Sequence, residues 1–292
     1  MFSTSTRPRR KYDVPNWLLF VSRFSSYGIF KQLRSVSPGW VTLALSFAVG
    51  VVFCSASLAG AQTCDDGQYS TQTQGQYILQ NDEWGLAGDT GGWQEICNGS
   101  ATSNSWSATW FWSPGTGTIK AYPSIYSGWN YGTWSPGGGF PVEISAQSPL
   151  PTSVSFDMTG DNEYDTAYDL FFSPDGNPSA PSAEMMVWLS YAGHNPAGTK
   201  VASAITLGGI SGTWDVWKGT GGGSWPLWTF VRDSQVSSFS GNLQPFVYYL
   251  AYTTAWLNSS WYELNIEFGT EIIQSNDANG SITVSSFSAA AK

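Results

Sequence analysis

The feature that most limits the fold is a series of short alternating or apolar segments along residues 76–289, separated by clusters of Gly, Pro, Asn and Ser. Alternation with a period of two is typical of strands that bury one face. Many such strands at this spacing are typical of a sandwich or jelly roll. The segments are QYILQNDEW, SATWFWS, GTIKAYPSI, PTSVSFDM, DTAYDLFFS, AEMMVWLSY, KVASAITLGG, TWDVWKG, LWTFVRD, YELNIEFGTE and SITVSSFSA. We therefore predict an all-β fold, a curved two-sheet β-sandwich whose concave face is free to form a cleft.

One segment, SGNLQPFVYYLAYTTAW, departs from this period. Its apolar residues recur at helical spacing, and Asn242 is placed to cap the helix. The residues of the stripe are Leu243, Phe246, Val247, Leu250 and Ala251. We predict a single α-helix that packs this stripe on the convex side of a sheet.

The first 61 residues have the pattern of an N-terminal extension followed by a secretory signal peptide. Residues 1–39 hold seven of the twelve Lys and Arg, and the apolar run WVTLALSFAVGVVFCSASLAGA follows, with an A-x-A site before Gln62. The run is also long enough to span a bilayer, so an uncleaved membrane anchor is the alternative to a signal peptide. The long segment before the run is alternatively explained by a misassigned start codon. We expect a secreted protein without membrane contact after cleavage.

The predicted mature chain, residues 62–292, has the length of a single all-β domain. It keeps five basic and twenty acidic residues, a formal net charge of −15. Such a surface repels phosphate backbones, so we predict no nucleic-acid partner. The two cysteines left in the exported chain, Cys64 and Cys97, are expected to form a disulfide.

The amino-acid composition excludes several catalytic mechanisms. His194 is the only histidine and lies in the loop AGHNPAG, so a His/Cys metal cluster cannot be assembled, and no motif of a nucleophile or an acid accompanies it. We predict that His194 is an ordinary loop residue and that the chain binds no metal. Aromatic side chains and carboxylates are abundant instead, and carbohydrate chemistry uses that combination.

Two segments carry carboxylates that could work as a pair. In WYELNIEFGTE, Glu263, Glu267 and Glu271 recur at intervals of four on one face of a predicted strand, which either is solvated or lines a cleft. In AEMMVWLSY, Glu184 begins an otherwise apolar strand and shares a face with Met186 and Trp188, and DTAYDLFFS adds Asp165 and Asp169. A glycosidase needs two carboxyl groups across one sugar bond.

Taken together, AYDLFFS, EMMVWLSYAG, WDVWKG, EFGTE and VSSFSAA resemble glycoside hydrolase family 12 over essentially all of residues 62–292. The resemblance implies a retaining endo-β-1,4-glucanase in which Glu184 is the nucleophile and Glu271 the general acid/base. It implies that Asp169 hydrogen-bonds to the nucleophile. It further implies a β-glucan polysaccharide as the partner, no cofactor, and we expect a monomer.

The same resemblance implies the residues that hold the substrate. These are Asn81, Trp84, Met186, Trp188 and Glu267, while we expect Glu263 at the solvated end of its strand. The chain departs from the family in two places: Ile272-Ile273 follows GTE, where Pro-Phe is common, and Asn81-Asp82-Glu83 replaces a pair of asparagines before the WG element.

Other functions stay open at this point. A xyloglucan-specific enzyme of the same family would share every catalytic residue. A non-catalytic glucan-binding module would share the aromatic residues but has no use for paired cleft carboxylates, and a family 11-like xylanase fits the motifs poorly. Asn98, Asn258 and Asn279 lie in N-x-S sequons, whose use depends on the host.

Overall fold

A computed structural model of the protein describes residues 62–88, 91–115, 117–160, 162–276 and 278–292. The extension, signal peptide and alternative anchor predicted for residues 1–61 lie outside the described residues. Within the described residues, no helix is both long enough and apolar enough to cross a membrane.

Eighteen strands run through the described residues, and most coincide with the alternating segments of the sequence. They are β1 (Cys64–Asp65), β2 (Thr71–Gln74), β3 (Tyr77–Gln80), β4 (Trp93–Asn98), β5 (Trp106–Phe111), β6 (Ser124–Asn130), β7 (Thr133–Trp134), β8 (Val142–Glu143), β9 (Pro151–Thr159), β10 (Asn162–Ser173), β11 (Ala183–Ala192), β12 (Thr199–Ile205), β13 (Trp214–Thr220), β14 (Pro226–Arg232), β15 (Ser238–Asn242), β16 (Tyr262–Glu263), β17 (Asn265–Ser275) and β18 (Gly280–Ala289).

The strands form two sheets, which confirms the predicted jelly-roll sandwich. The smaller sheet has the order β1-β4-β5-β18-β9-β15. The larger has the order β12-β13-β14-β11-β10-β17-β6-β3-β2, with β7, β8 and β16 at its margin. Its central neighbours β11, β10 and β17 pair antiparallel, whereas β11 and β14 pair parallel.

The core lies between the two sheets and is built by strand alternation. On β10 the side chains of Tyr168, Leu170 and Phe172 belong to the core, while the residues between them face the other way. Across the core, Phe156 of β9 meets Phe268 of β17 with ring centroids 5.5 Å apart. The opposite face of β10 is therefore free to line a cleft.

The predicted helix is present but shorter than its apolar stripe. The α-helix α1 covers Gln244–Tyr248 and continues as a π-helical turn, Tyr249–Thr253. All five residues of the predicted stripe are buried. Phe246 packs edge-on against Trp214 of β13, on the face of the larger sheet that points away from the cleft. The prediction that Asn242 caps the helix is wrong, because the N-cap is Leu243 and Asn242 is the last residue of β15. Asn242 Oδ1 still accepts a hydrogen bond from the backbone N of Gln244 at 3.1 Å.

Two short 3₁₀ turns, Leu86–Gly88 and Ile144–Ala146, complete the helical structure of the described residues. The predicted disulfide is confirmed: Cys64 of β1 is bonded to Cys97, the residue opposite it on β4. In the chain-entropy model, closing a loop of this length stabilises the fold by about 3–4 kcal/mol.

Candidate active site

A cleft of about 720 Å³ lies on the face of the larger sheet that points away from the core. Aromatic side chains, carboxyl groups and small polar residues line it. The lining residues are Tyr69, Thr71, Gln80, Asp82, Trp84, Tyr122, Tyr126, Asn130, Tyr131, Thr133, Asp169, Phe171, Glu184, Gly222, Gly223, Trp225, Glu267 and Glu271. Glu184, Glu271, Asp169, Glu267 and Trp84, which were predicted from the sequence, are among them.

Strand register brings these carboxyl groups together. Glu184 lies on β11 and Glu271 on β17, the two strands on either side of β10. On β10, Asp165 lies directly opposite Glu271, and Asp169 lies directly opposite Glu267. Side chains on one face of a sheet repeat every second residue, so the three strands present their acids on the same face.

Glu184 is held by a hydrogen bond from the loop between β13 and β14. The indole Nε1 of Trp225 donates to Glu184 Oε2 at 2.6 Å. A Cβ added to Gly221 would lie 2.5 Å from the same oxygen, so a residue with a side chain would displace the carboxylate. Burial raises the pKa of Glu184 to about 7, against the lowering effect of the Trp225 hydrogen bond, and the charge of Glu271 raises it further.

Glu271 keeps part of its surface open to the cleft. Its pKa is raised well above the ordinary value of 4.5, first by burial and then by the charge and hydrogen bond of Asp165, while His194 acts in the opposite direction. Asp165 itself is fully buried, and burial raises its pKa to about 8. The contact with Glu271 lowers the pKa of Asp165, whereas the contact with Asp165 raises the pKa of Glu271, so Glu271 is the more strongly protonated of the two.

Asp169 lies beside Glu184 without the hydrogen bond that the resemblance implied. Its Oδ1 is buried with no hydrogen-bond partner, and no hydrogen bond joins Asp169 to Glu184 among the described residues. Burial raises the pKa of Asp169 well above its ordinary value, and the neighbouring charge of Glu184 raises it further. In this conformation, Asp169 is a buried neighbour of Glu184 whose Oδ1 has no hydrogen-bond partner.

The other two glutamates of WYELNIEFGTE have different surroundings. Glu267 is buried at the floor of the cleft, where Ser124 Oγ and Asn130 Nδ2 donate hydrogen bonds to its carboxylate, and burial raises its pKa to about 8. The expectation that Glu263 is solvated is wrong. It lies on β16, paired with both β10 and β8, and only 2% of it is exposed.

Residues 75–292, about three quarters of the chain, match the family described as Glycosyl hydrolase family 12. The chain belongs to glycosyl hydrolase family 12. Its cleft carboxyl groups are therefore those of a glycoside hydrolase.

Relatives within family 12 carry the names of both endoglucanases and xyloglucanases. Endoglucanase S of Pectobacterium parmentieri is 31% identical over 231 residues, which cover 76% of this chain and 85% of that protein. Xyloglucan-specific endo-beta-1,4-glucanase A of Emericella nidulans is 33% identical over 248 residues, covering 80% and 95%. The structure of a native family 12 xyloglucanase from Bacillus licheniformis aligns with a TM-score of 0.72 and 31% identity, over 79% of this chain and all of that chain.

The predicted substrate-holding residues of this family 12 protein divide into two groups. Trp84 lines the cleft and is 46% exposed, so its ring is open to a ligand. Met186 and Trp188 lie on the cleft side of β11, but both are buried in a cluster with Tyr191 and Trp217 packed against it. In this conformation they support the cleft wall and do not lie on its surface.

Asn81 also lies behind the cleft wall. It is fully buried, its Oδ1 accepts a hydrogen bond from Gln94 Nε2 at 2.9 Å, and its Nδ2 donates to Glu83 Oε1 at 3.0 Å. Because both ends of the amide are occupied inside the protein, Asn81 braces the segment before Trp84. The structure therefore corrects the expectation of a direct substrate contact.

Several cleft residues were missed by the sequence reasoning. Tyr69 and Tyr131 are 49% and 55% exposed and line the cleft, but each lies in a turn, outside any alternating segment. Trp225 follows the Gly-rich stretch GTGGGS. The one signal in the sequence was a large aromatic residue directly after several glycines. Such a side chain predicts a packing contact with another part of the protein, because the glycines beside it offer none.

His194 is more than the ordinary loop residue that we predicted. Its Nε2 lies 3.4 Å from Asp165 Oδ2, and its ring packs against that of Trp188 with centroids 5.0 Å apart. The one cluster of His, Cys, Asp and Glu with metal-like spacing in the described part of the chain is Cys64, Glu95 and Cys97, where the disulfide occupies both sulfurs.

Proposed function

We propose that this family 12 protein is a retaining endo-β-1,4-glucanase that hydrolyses internal bonds of soluble β-glucan. The observation that carries the proposal is that Glu184 and Glu271 line one cleft from the two strands that flank β10. A retaining pair requires carboxyl groups about 5–5.5 Å apart, and we expect that separation for these two. A non-catalytic binding module would gain nothing from burying several acids together, since each is costly to desolvate.

In the proposed mechanism, Glu184 attacks the anomeric carbon while Glu271 donates its proton to the leaving glycosidic oxygen. Glu271 then takes a proton from water, which attacks the glycosyl-enzyme and releases Glu184. The environments suit these roles because burial and Asp165 keep Glu271 protonated, whereas the Trp225 hydrogen bond favours the ionised form of Glu184.

We propose supporting roles for the remaining cleft residues. Asp169, kept neutral by burial, can donate a hydrogen bond from its free oxygen to the Glu184 carboxylate. The exposed rings of Trp84, Tyr69 and Tyr131 can stack on sugar faces, a contact that tolerates many sugars because it is apolar and planar. Glu267 at the cleft floor can accept hydrogen bonds from sugar hydroxyls.

A xyloglucan-specific activity is the second candidate, because several relatives and the aligned Bacillus licheniformis structure carry that name. The catalytic residues would be the same. Reducing-sugar release from carboxymethyl cellulose, mixed-linkage β-glucan and xyloglucan, measured under one set of conditions, separates the two activities. We also propose that the protein is exported, which the signal pattern and the disulfide support, and that it is a monomer.

The nucleophile is tested by Glu184→Ala. Because the covalent intermediate cannot form, activity on the polymer should fall by about 10⁴-fold or more. Added azide or formate should restore turnover with a product of inverted configuration, as the small anion takes the place of the lost carboxylate. Glu143→Ala, which removes an exposed glutamate of β8, is the matched control and should keep full activity.

The acid/base role is tested by Glu271→Ala. A substrate with an activated aryl leaving group needs little protonation, so its first step should survive better than the hydrolysis of a natural glucan, while deglycosylation becomes slow. Glu267→Ala should weaken binding only modestly. If Glu267→Ala abolishes turnover and Glu271→Ala leaves it intact, then the acid/base has been assigned to the wrong glutamate.

A further inference from the structure

Three titratable groups from three separate segments meet at the Glu271 end of the cleft. Glu271 lies on β17, Asp165 lies directly opposite it on β10, and His194 lies in the loop after β11. The Nε2 atom of His194 is 3.4 Å from Asp165 Oδ2. The mechanism proposed above uses Asp165 only to raise the pKa of Glu271, and it gives His194 no role.

The contacts of Asp165 require protons. Asp165 is fully buried, and no described residue donates a hydrogen bond to either of its side-chain oxygens. Two carboxyl groups repel each other unless one proton lies between them, and a buried unpaired carboxylate is strongly disfavoured. Asp165 can therefore stay beside Glu271 only as one member of a group of residues that shares protons.

His194 is fixed in place and is not a mobile surface group. Its side chain is only 16% exposed, and its ring packs against Trp188, which also contacts Tyr191. Burial lowers the pKa of His194, whereas the charges of Glu271 and Glu163 and a hydrogen bond to the backbone of Tyr164 act in the opposite direction. Burial is the largest of these effects, so the pKa of His194 lies below its ordinary value of 6.5.

The other charged groups that face this cluster are all acids or phenols. Glu184 lies on β11, Asp169 on β10, Glu267 on β17, and the Tyr122 hydroxyl donates to the backbone of Ala167 nearby. No Lys or Arg is among the residues that line the described cleft. In this set, His194 is the one group that can become positive.

We propose that Asp165 and His194 are positioning residues for Glu271: Asp165 accepts the hydrogen bond that retains the acid proton on Glu271, and His194 acts through Asp165 to offset its charge. This inference rests on the proposed function of Glu271. When Glu271 gives its proton to the leaving oxygen, Glu271 and Asp165 are both anionic, and the adjacent imidazole stabilises that state. The proton taken from water in the second step returns to Glu271.

The contact can be tested without any catalytic assay, because His194 is the only histidine of the chain. In protein produced without a polyhistidine tag, one imidazole signal in the proton NMR spectrum reports the titration of His194. Asp165→Asn should lower the pKa of His194 by about one unit, because a carboxylate within 4–6 Å stabilises the imidazolium. Asp157→Asn, which removes an exposed charge from β9 of the other sheet, is the matched control and should leave the titration unchanged.

The positioning role is tested by the pH dependence of kcat/KM on the polymer. Asp165→Asn should move the alkaline limb to lower pH by about one unit, because the charge that retains the Glu271 proton is gone. His194→Ala should move it in the opposite direction, and His194→Gln, which keeps an N–H donor, should fall between His194→Ala and the wild type. In the Asp165→Asn background, His194→Ala should have no further effect, since His194 acts through Asp165.

Each outcome has one meaning. If Asp165→Asn does not fold, the three forms with Asp165 intact (wild type, His194→Ala and His194→Gln) decide the question by their alkaline limbs. Unchanged limbs in all variants overturn the inference, and an additive His194→Ala effect overturns the path through Asp165. A wild type that hydrolyses no β-glucan while its His194 titration still responds to Asp165→Asn would refute the proposed function and leave the contact intact.

Discussion

On one face of β17, Ile266 and Phe268 pack into the core between the sheets, and on the other face Glu267 and Glu271 line the cleft. The neighbours Glu267 and Phe268 are almost equally buried, at 1% and 0% exposed. The same division holds on β10, where Leu170 faces the core while Asp169 faces the cleft. Two faces of one set of strands are therefore alike in burial and opposite in chemistry.

This difference shows that burial measures how little of a side chain contacts solvent, and does not measure whether that side chain is apolar. The core face gains free energy from the loss of contact with water. The cleft face loses free energy unless its acids become neutral or find partners, and the raised pKa values of Asp165, Glu184 and Glu267 express that cost. Buried carboxyl groups with raised pKa values are what general acid catalysis requires, so function explains a face that stability disfavours.

The largest expected effect on stability comes from the cleft face as a whole. The pKa values of Glu184 and Glu267 are about 7 and 8 in the folded protein, against an ordinary value of 4.5. The folded state therefore holds more protons than the unfolded chain between about pH 4 and pH 8. Stability is greatest near pH 4 and falls as the pH rises through this window, by about 1.4 kcal/mol per pH unit for each extra proton.

The measurement is the free energy of unfolding in urea at several pH values at fixed temperature. Glu267→Gln removes one of the buried acids and should flatten the curve. Asp157→Asn removes one exposed acid from the other sheet and should leave the slope nearly as it was. A stability that rises from pH 4 to pH 8 would mean that the cleft acids are ionised in the folded protein.

A single substitution at adjacent residues separates the two faces directly. Phe268→Gln places an amide in the core, where the ring now contacts Phe156, Tyr168 and Phe287, and should cost about 3–5 kcal/mol. Glu267→Gln, with the same new side chain, should change the free energy of unfolding at pH 4, where Glu267 is also neutral, by about 1 kcal/mol or less. Equal losses in the two variants, measured by urea unfolding, would mean that the faces do not differ as described.

Because polar and apolar residues alternate along the strands, the fold and the cleft face could be predicted from the sequence. The period of two in YELNIEFGTE and AEMMVWLSY predicts which residues share a face, and the structure brings Glu184, Glu267 and Glu271 into one cleft. The helix was also readable, because its stripe of five apolar residues follows helical spacing and all of them are buried. Local periodicity is enough where a residue's surroundings follow from its own strand.

Contacts between segments that are distant in the sequence could not be predicted from this periodicity. His194 reaches Asp165 across 29 positions of sequence, and Trp225 reaches Glu184 across 41, so neither pattern nor spacing links the partners. The burial of Glu263 depends on β8, which is only two residues long and carries no alternating signal. The inward orientation of Asn81 was not predicted either. Asn81 follows the last residue of β3, and its amide oxygen accepts a hydrogen bond from Gln94.

The smallest expected effect on activity comes from Glu263, an acid that is as buried as those of the cleft but lies outside it. Burial alone raises its pKa well above the ordinary value, and its Oε1 has no hydrogen-bond partner. Because the folded-state pKa is raised, the stability contributed by protonation is present below about pH 4.5 and is lost as the pH rises through the folded value. Glu263→Gln stays neutral at every pH, so it should flatten the slope of stability by at most about 1.4 kcal/mol per pH unit.

Activity distinguishes this acid from those of the cleft. Glu263→Gln should leave the pH dependence of kcat/KM unchanged, because Glu263 is not among the residues that line the cleft. Glu267→Gln should flatten the stability curve in the same way and also weaken substrate binding, because Glu267 lies at the cleft floor beside Asn130. If Glu263→Gln alters the pH–activity profile as strongly as Glu267→Gln does, then the division between cleft acids and buried structural acids fails, and burial by itself governs how this sheet titrates.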